Sequence, residues 1–259
     1  MTTTLVIAKT TFGEALRKKI LNIFLLVTLA LIAFSFSFAS FTMREEMTII
    51  KSFGLGIIAI SGMFMAIVLG INLVPVEMER RTIYTILSKP VRRHEFLLGK
   101  FFGALATIAF NLMLMSIIFV LMVTWKNGGH LDLALFKGTL MIFFQLFILS
   151  SVALLFSVFT TPVVNFFLTS AVYIVGSLSD VTMSMTQGEN KHIIVKGFYW
   201  VIHYLTPNFA NYFTQNPLIH PDAVVKNEAM YYANNIVYAL VYSAALLIVA
   251  ILVFEKRDM

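Results

Sequence analysis

From Ile20 to Phe41 the chain runs for 22 residues without a charged side chain, and stretches of the same kind recur to its C-terminus. A helix of that length rises about 33 Å, enough to cross a hydrocarbon core of about 30 Å. Inside a bilayer the backbone must satisfy its own hydrogen bonds, so each such stretch is confined to the α-helix. Composition agrees, with 59% hydrophobic residues, 12% charged residues and a mean hydropathy of +0.88, far from the profile of a soluble domain. The expected fold is an all-α polytopic membrane protein, with residues 1–259 forming one transmembrane domain.

Six spans are expected, at about residues 20–42, 53–76, 97–123, 138–160, 163–179 and 231–254. The first is longer than the ~7–15 residues of a signal-peptide core and is expected to be retained. Only Thr160, Thr161 and Pro162 separate the fourth span from the fifth. These two spans should form a tight hairpin, with Pro162 in a first helical turn, where its missing N–H costs nothing. Asn127-Gly128-Gly129 carries turn chemistry between the third and fourth spans. Cysteine is absent, which excludes disulfides and thiolate metal sites.

Lys and Arg set the expected orientation. With the N-terminus inside, the inner segments hold 12 of the 19 basic residues, and the other 7 are spread over longer outer segments. That bias places both termini and the loop between the second and third spans in the cytoplasm. The formal charge of +6 then belongs entirely to the inner face, a pattern of membrane topology rather than of nucleic-acid binding.

Residues 4–19 place Leu5, Ala8, Phe12 and Leu16 at spacings of three and four, with Lys9, Glu14, Arg17, Lys18 and Lys19 mainly elsewhere. This pattern predicts an amphipathic helix lying along the inner membrane surface. The outer segment at residues 180–230 clusters Phe198, Tyr199, Trp200 and Tyr204. It reads as a helical or re-entrant element at the outer interface rather than a solvated loop.

Ordinary chemistry is missing. The span cores hold no Asp, Glu, Lys, Arg or His, and Lys100 sits at the inner edge of the third. An ion-coupled carrier or channel needs charged or ion-binding groups there, which counts against that class. Asn72, Asn111, Gln145 and Asn165 are the polar amides of the span cores, and interhelical hydrogen bonding is their expected role. No hydrolase or metalloprotease motif occurs, and Gly99-Lys100 fails as a nucleotide loop because His94 and Phe101 stand where glycine and Ser/Thr are required. Met183, Met185 and His192 form the one soft-donor set that could suit Cu(I). Methionine pairs of that spacing also occur inside spans as packing, so no metal is assigned. Gly99 and Gly103 make a G-x-x-x-G at the entry of the third span, which would permit close helix crossing.

Charge concentrates in one place, residues 77–100, "EMERRTIYTILSKPVRRHEFLLGK". Ile83, Ile86 and Leu87 share one helical face, while Glu77, Glu79, Arg80 and Arg81 crowd the start. Pro90 disfavours helical geometry at Lys89 and should end this short helix near Ser88. A new helix should begin around Arg92 and enter the third span. A purely basic cluster would read as a lipid-holding anchor or scaffold. Glu77, Glu79 and Glu95 weaken lipid attraction and suit a protein partner instead.

The segment resembles the cytoplasmic coupling helix of ABC-2 type transporter permeases, whose pattern is E-x-E-x-G-T, then L-x-x-P-x-x-R, then G-K. Glu77, Glu79, Thr82, Leu87, Pro90, Arg93, Gly99 and Lys100 fall on those positions, while Arg81 stands where the family usually has glycine. The N-terminal "AKTTFGEALRKK" is similar to that family's interfacial helix, and the branch containing the permease of the nitrous-oxide reductase maturation system looks most similar. The resemblance implies a non-enzymatic export permease of the bacterial inner membrane, working as a homodimer with two copies of a separate ATPase. That partner would bind the ATP and magnesium, and the chain itself would hold no cofactor. Coupling would run through Glu77, Glu79, Arg80, Thr82, Ile83, Leu87, Pro90 and Arg93 in the 77–96 loop, with Gly99, Lys100 and Gly103 at the span entry. Membrane lipid is a further expected partner, and the outer segment leaves room for a periplasmic accessory protein.

Overall fold

Lipid offers apolar helices no hydrophobic drive toward one another, so close packing and interhelical hydrogen bonds must hold a bundle together. The computed structural model describes residues 3–39, 46–75, 92–132, 134–179, 200, 205–212 and 227–256. These residues form seven α-helices: α1 (Thr3–Leu16), α2 (Lys19–Ala39), α3 (Glu46–Ile71), α4 (Arg93–Lys126), α5 (Ala134–Phe159), α6 (Pro162–Ser177) and α7 (Glu228–Lys256). There is no strand among the described residues. Five of the helices, α2, α3, α4, α5 and α7, are long and apolar enough to cross a membrane, and α6 is a shorter apolar helix. The chain is a multi-pass helical membrane protein.

Glycine sets the spacing of the central helices. A Cβ on Gly54 would meet the Phe119 ring of α4 at 2.2 Å, and one on Gly62 would meet Leu146 of α5 at 2.4 Å. One on Gly70 would lie 2.3 Å from the Cβ of Ala153, also in α5. These three positions let α3 seat against both α4 and α5. Hydrogen bonds between side chains also join the helices. Thr28 on α2 donates to Ser61 on α3, and Ser116 and Thr139 pair between α4 and α5 at 2.9 Å.

The fourth and fifth expected spans do form a tight hairpin. Thr161 is extended, Pro162 opens α6, and Asn165 Nδ2 donates across to the Ala153 carbonyl of α5 at 2.9 Å. Among the described residues Asn165 shares this role with Gln145, whose side chain bonds that of Tyr173 on α6. Asn72 and Asn111 instead donate to Val68 and Thr107 of their own helices, and Gln145 Oε1 is buried without a partner.

One boundary departs clearly from expectation. The helix expected from residue 53 begins at Glu46 and takes in Lys51. Ile50 on the added turn is fully buried, and Lys51 Nζ reaches Asp132 Oδ2 at 2.6 Å. The charge that suggested a loop is therefore neutralised across a turn that does form where expected. Gly128 and Gly129 there have φ of +66° and +91°, which favour glycine, and Asp132 Oδ1 accepts the first N–H of α5 at 3.1 Å.

At the same end, residues 205–212 pack against α7. The Tyr242 hydroxyl donates to the Leu205 carbonyl at 2.9 Å, and the Asn208 N–H donates to the Tyr238 hydroxyl at 3.1 Å. Tyr231 donates to the Asn211 carbonyl, and Tyr212 donates back to the Asn235 carbonyl at 2.7 Å. Phe209 N–H caps Gly176 of α6 at 3.0 Å. Tyr231, Asn235, Tyr238 and Tyr242 recur at spacings of four and three, one helical face. Tyr242 lies about 21 Å along the axis from Lys256, so the first carbonyl of this segment sits within a bilayer-core thickness of that end.

The Lys51 hydrogen bond, reinforced by its charge, holds the Asp132 carboxyl below its ordinary value despite partial burial. Its contribution is complete above the ordinary carboxylate range and lost as pH falls through the lowered value. Asp132→Asn should therefore lower stability by about 0.5–1 kcal/mol at neutral pH. The gap between variant and parent should close on acidification, measured by unfolding of detergent-purified protein.

Candidate functional site

Three turns at the start of α4 gather most of the polar chemistry at the end of the bundle where both α1 and the last turn of α7 lie. The helix opens cleanly after the loop, since Arg92 is extended and its N–H donates to Glu95 Oε2 at 3.1 Å. Glu95 thus satisfies a terminal donor and places negative charge at the positive end of the helix dipole.

Arg93, the first residue of α4, faces the terminus of α7. Its Nη1 donates to the carbonyls of Phe254 at 3.3 Å and Glu255 at 3.0 Å. His94 Nδ1 lies 3.9 Å from Glu255 Oε1. One turn on, the buried rings of Phe96 and Phe254 stack with centroids 6.4 Å apart.

The next two turns receive α1. A Cβ on Gly99 would lie 2.7 Å from Ile7 Cβ, and one on Gly103 would lie 2.6 Å from both the Ala8 carbonyl and Thr11 Cβ. The G-x-x-x-G is therefore a seat for the N-terminal helix. Farther along, Phe12 meets Phe110 edge-on at 6.1 Å. The contacts advance in the same direction on both helices. Lys100 lies between the two glycines, 8% exposed, with Nζ 3.9 Å from Glu14 Oε2 and 5.9 Å from the Phe96 ring centroid.

Of the residues singled out from sequence, the structure brings Arg93, Gly99, Lys100 and Gly103 onto these successive turns, about 15 Å of helix. Glu77, Glu79, Arg80, Thr82, Ile83, Leu87 and Pro90 lie outside the described residues, as do Met183, Met185 and His192. Among the described residues no group of three His, Asp or Glu could hold a metal.

The face of α1 keeps Ala8 and Phe12 of the expected stripe but not Leu5. Thr11 and Ala15 are its buried residues, with Ile7 and Ala8 against the glycines, whereas Leu5 is 58% exposed. Small residues on the facing helix fit a glycine groove, and Leu5 and Val6, on the other side of α1, are left facing outward. The matching spacing of Ile7, Thr11 and Ala15 was the available signal. Nothing local signalled the contact of Arg93 with a helix end 161 residues away.

Two lateral grooves are nearly wholly apolar. One, of about 270 Å³, lies between α4 and α5 and includes Leu112, Met113 and Phe143. The other, of about 200 Å³, lies between α2 and α3 beside Phe24 and Phe64. Neither brings charged groups together.

A multi-pass bundle with apolar walls and ionic contacts gathered at its ends has the build of a membrane-embedded domain. The family model described as ABC-2 family transporter protein matches residues 5–259. The chain belongs to the ABC-2 family, and that membership makes it a permease-type membrane component of an ABC transporter. No individual curated protein matches the sequence.

The glycine seat yields a direct test. Gly103→Leu should displace α1 from α4, raising the thiol-labelling rate of a cysteine placed at Thr11 several-fold. Gly13→Ala, where nothing lies within 4 Å of the added carbon, should leave that rate unchanged.

Proposed function

We propose that the chain is the permease subunit of an ABC exporter, driven by a separate ATPase that docks on the 77–100 loop. The observation that carries this reading is the convergence at the start of α4. The residues directly after the charged loop bear on the end of α7 through Arg93 and on α1 through Gly99 and Gly103. A displacement of the loop would thus act on several elements at once. Family membership supports an ABC ATPase as the source of that displacement.

In this reading the protein has six spans, with α6 as the short fifth, and α1 is the interfacial element beside the third. Both termini are cytoplasmic, in a bacterial inner membrane, and two permease copies act with two ATPase subunits. The permease hydrolyses nothing, and ATP with magnesium binds in the partner. The acidic Glu77 and Glu79, interleaved with Arg80 and Arg81, are the ATPase contacts, with Thr82, Ile83, Leu87 and Pro90 shaping the helix they lie on. The branch resembling the nitrous-oxide reductase maturation permease is the preferred placement within the family. The span cores hold no Asp, Glu, Lys, Arg or His, which disfavours an ion-coupled carrier, and the interleaved acids disfavour a lipid-held scaffold.

Affinity purification of the tagged chain from its native membranes should bring down an ATP-binding subunit. Glu79→Ala should insert at normal levels and abolish the permease-dependent component of ATP hydrolysis. Purification without an ATPase, or full coupling in the variant, would sink the proposal. Arg93→Ala is a poorer probe of docking, because it also removes the contact with α7.

A further inference from the structure

The last carbonyls of a helix have no partners within it and form the negative end of its dipole. In α7 two of them, at Phe254 and Glu255, accept from Arg93 Nη1. A guanidinium is suited to such a site because it is always charged and presents several donors in a fixed plane. The contact is backed by packing, since Phe96 and Phe254 are 2% and 1% exposed and stack on each other. α7 packs chiefly against α5 along the bundle, so this clasp is what ties its last turn to the residue that follows the charged loop. At its other end, Tyr231, Tyr238 and Tyr242 fix the backbone of residues 205–211.

We propose that Arg93 is a positioning residue that makes the last turn of α7 move as one unit with the first turn of α4. α7 then carries displacement of the 77–92 loop to the 205–212 segment at the far end of the bundle. The inference rests on the reading of that loop as the ATPase docking element. It assigns a role to α7 that docking alone does not require. A docking contact would place Arg93 against the partner. The geometry places it against two backbone carbonyls of its own chain.

The chain has no cysteine, so a thiol pair can be introduced without background. The His94→Cys, Glu255→Cys pair leaves Arg93, Phe96 and Phe254 intact. In the permease–ATPase complex it is treated with a short bifunctional thiol reagent, without nucleotide and with Mg-ATP plus vanadate. The two cross-linking rates should agree within about twofold, as for a unit that stays together. Arg93→Gln in that background should lower the vanadate-state rate by about fivefold or more and reduce permease-dependent ATP turnover, with ATPase copurification unchanged. Arg93→Lys, which retains charge and a donor, should restore part of both. A rate that changes by about tenfold between states with Arg93 present would overturn the clasp, as would no effect of Arg93→Gln. Should no ATPase copurify with the parent chain, the docking reading itself fails. Copurification with parting helix ends removes only the clasp.

Discussion

In hydrocarbon an unpaired backbone N–H or C=O costs several kcal/mol, because no water is present to replace the lost partner. Regular helices meet that constraint internally, and the residues of interest lie where regularity stops. Residues 205–212 are such a place, and the tyrosines of α7 supply donors and acceptors to their backbone. The end of α7 is another, and Arg93 supplies the donor. In both places a side chain far away in sequence serves the irregular backbone. The hairpin between α5 and α6 is tied differently: Asn165 adds a bond to the Ala153 carbonyl inside α5, and Thr169 in turn donates to Asn165 at 2.8 Å.

The second organising element is the absence of side chain. α3 sits against α4 and α5 through Gly54, Gly62 and Gly70, and α1 sits against α4 through Gly99 and Gly103. Dispersion attraction falls off steeply with separation, so a bundle without aqueous hydrophobic drive gains most where helices touch at backbone distance. Lys100 lies between the two glycines of the α1 seat, its ammonium drawn toward Glu14 and the Phe96 ring. Its stem is covered while its charge remains near the membrane edge, the usual compromise for a long cationic side chain.

Much of this was legible in the sequence, for reasons that also explain what was not. Apolar runs identify helices because the bilayer admits little else, and Pro162 and Gly128-Gly129 marked turns through restrictions built into single residues. The start of α3 was misplaced because Lys51 looks like a loop residue until Asp132 is known to face it. Hydrophobic spacing alone places Leu5 on the stripe of α1 with Ala8 and Phe12, whereas the glycine groove takes Ile7 and Thr11 beside Ala8. The G-x-x-x-G was visible, but its occupant was not. Partners separated by a hundred residues or more, as with Arg93 and Glu255, leave no mark on local periodicity.

Several hydroxyls in the bundle are turned inward on their own helices. Thr107 donates to the carbonyl of Gly103, Ser151 to that of Phe147, Ser157 to that of Leu154, and Thr160 to that of Phe156. Each of these hydroxyls is thereby withdrawn from bonding to a neighbouring helix. Shear between adjacent helices changes contact partners but breaks few hydrogen bonds, and its barrier is set by how knobs ride over glycine notches. The interhelical bonds among the described residues, such as Thr28 to Ser61, Ser116 with Thr139, Asn165 to Ala153 and Arg93 to the end of α7, are the points where sliding would cost a directional contact. The bundle is thus lubricated along most of its seams and pinned at a few.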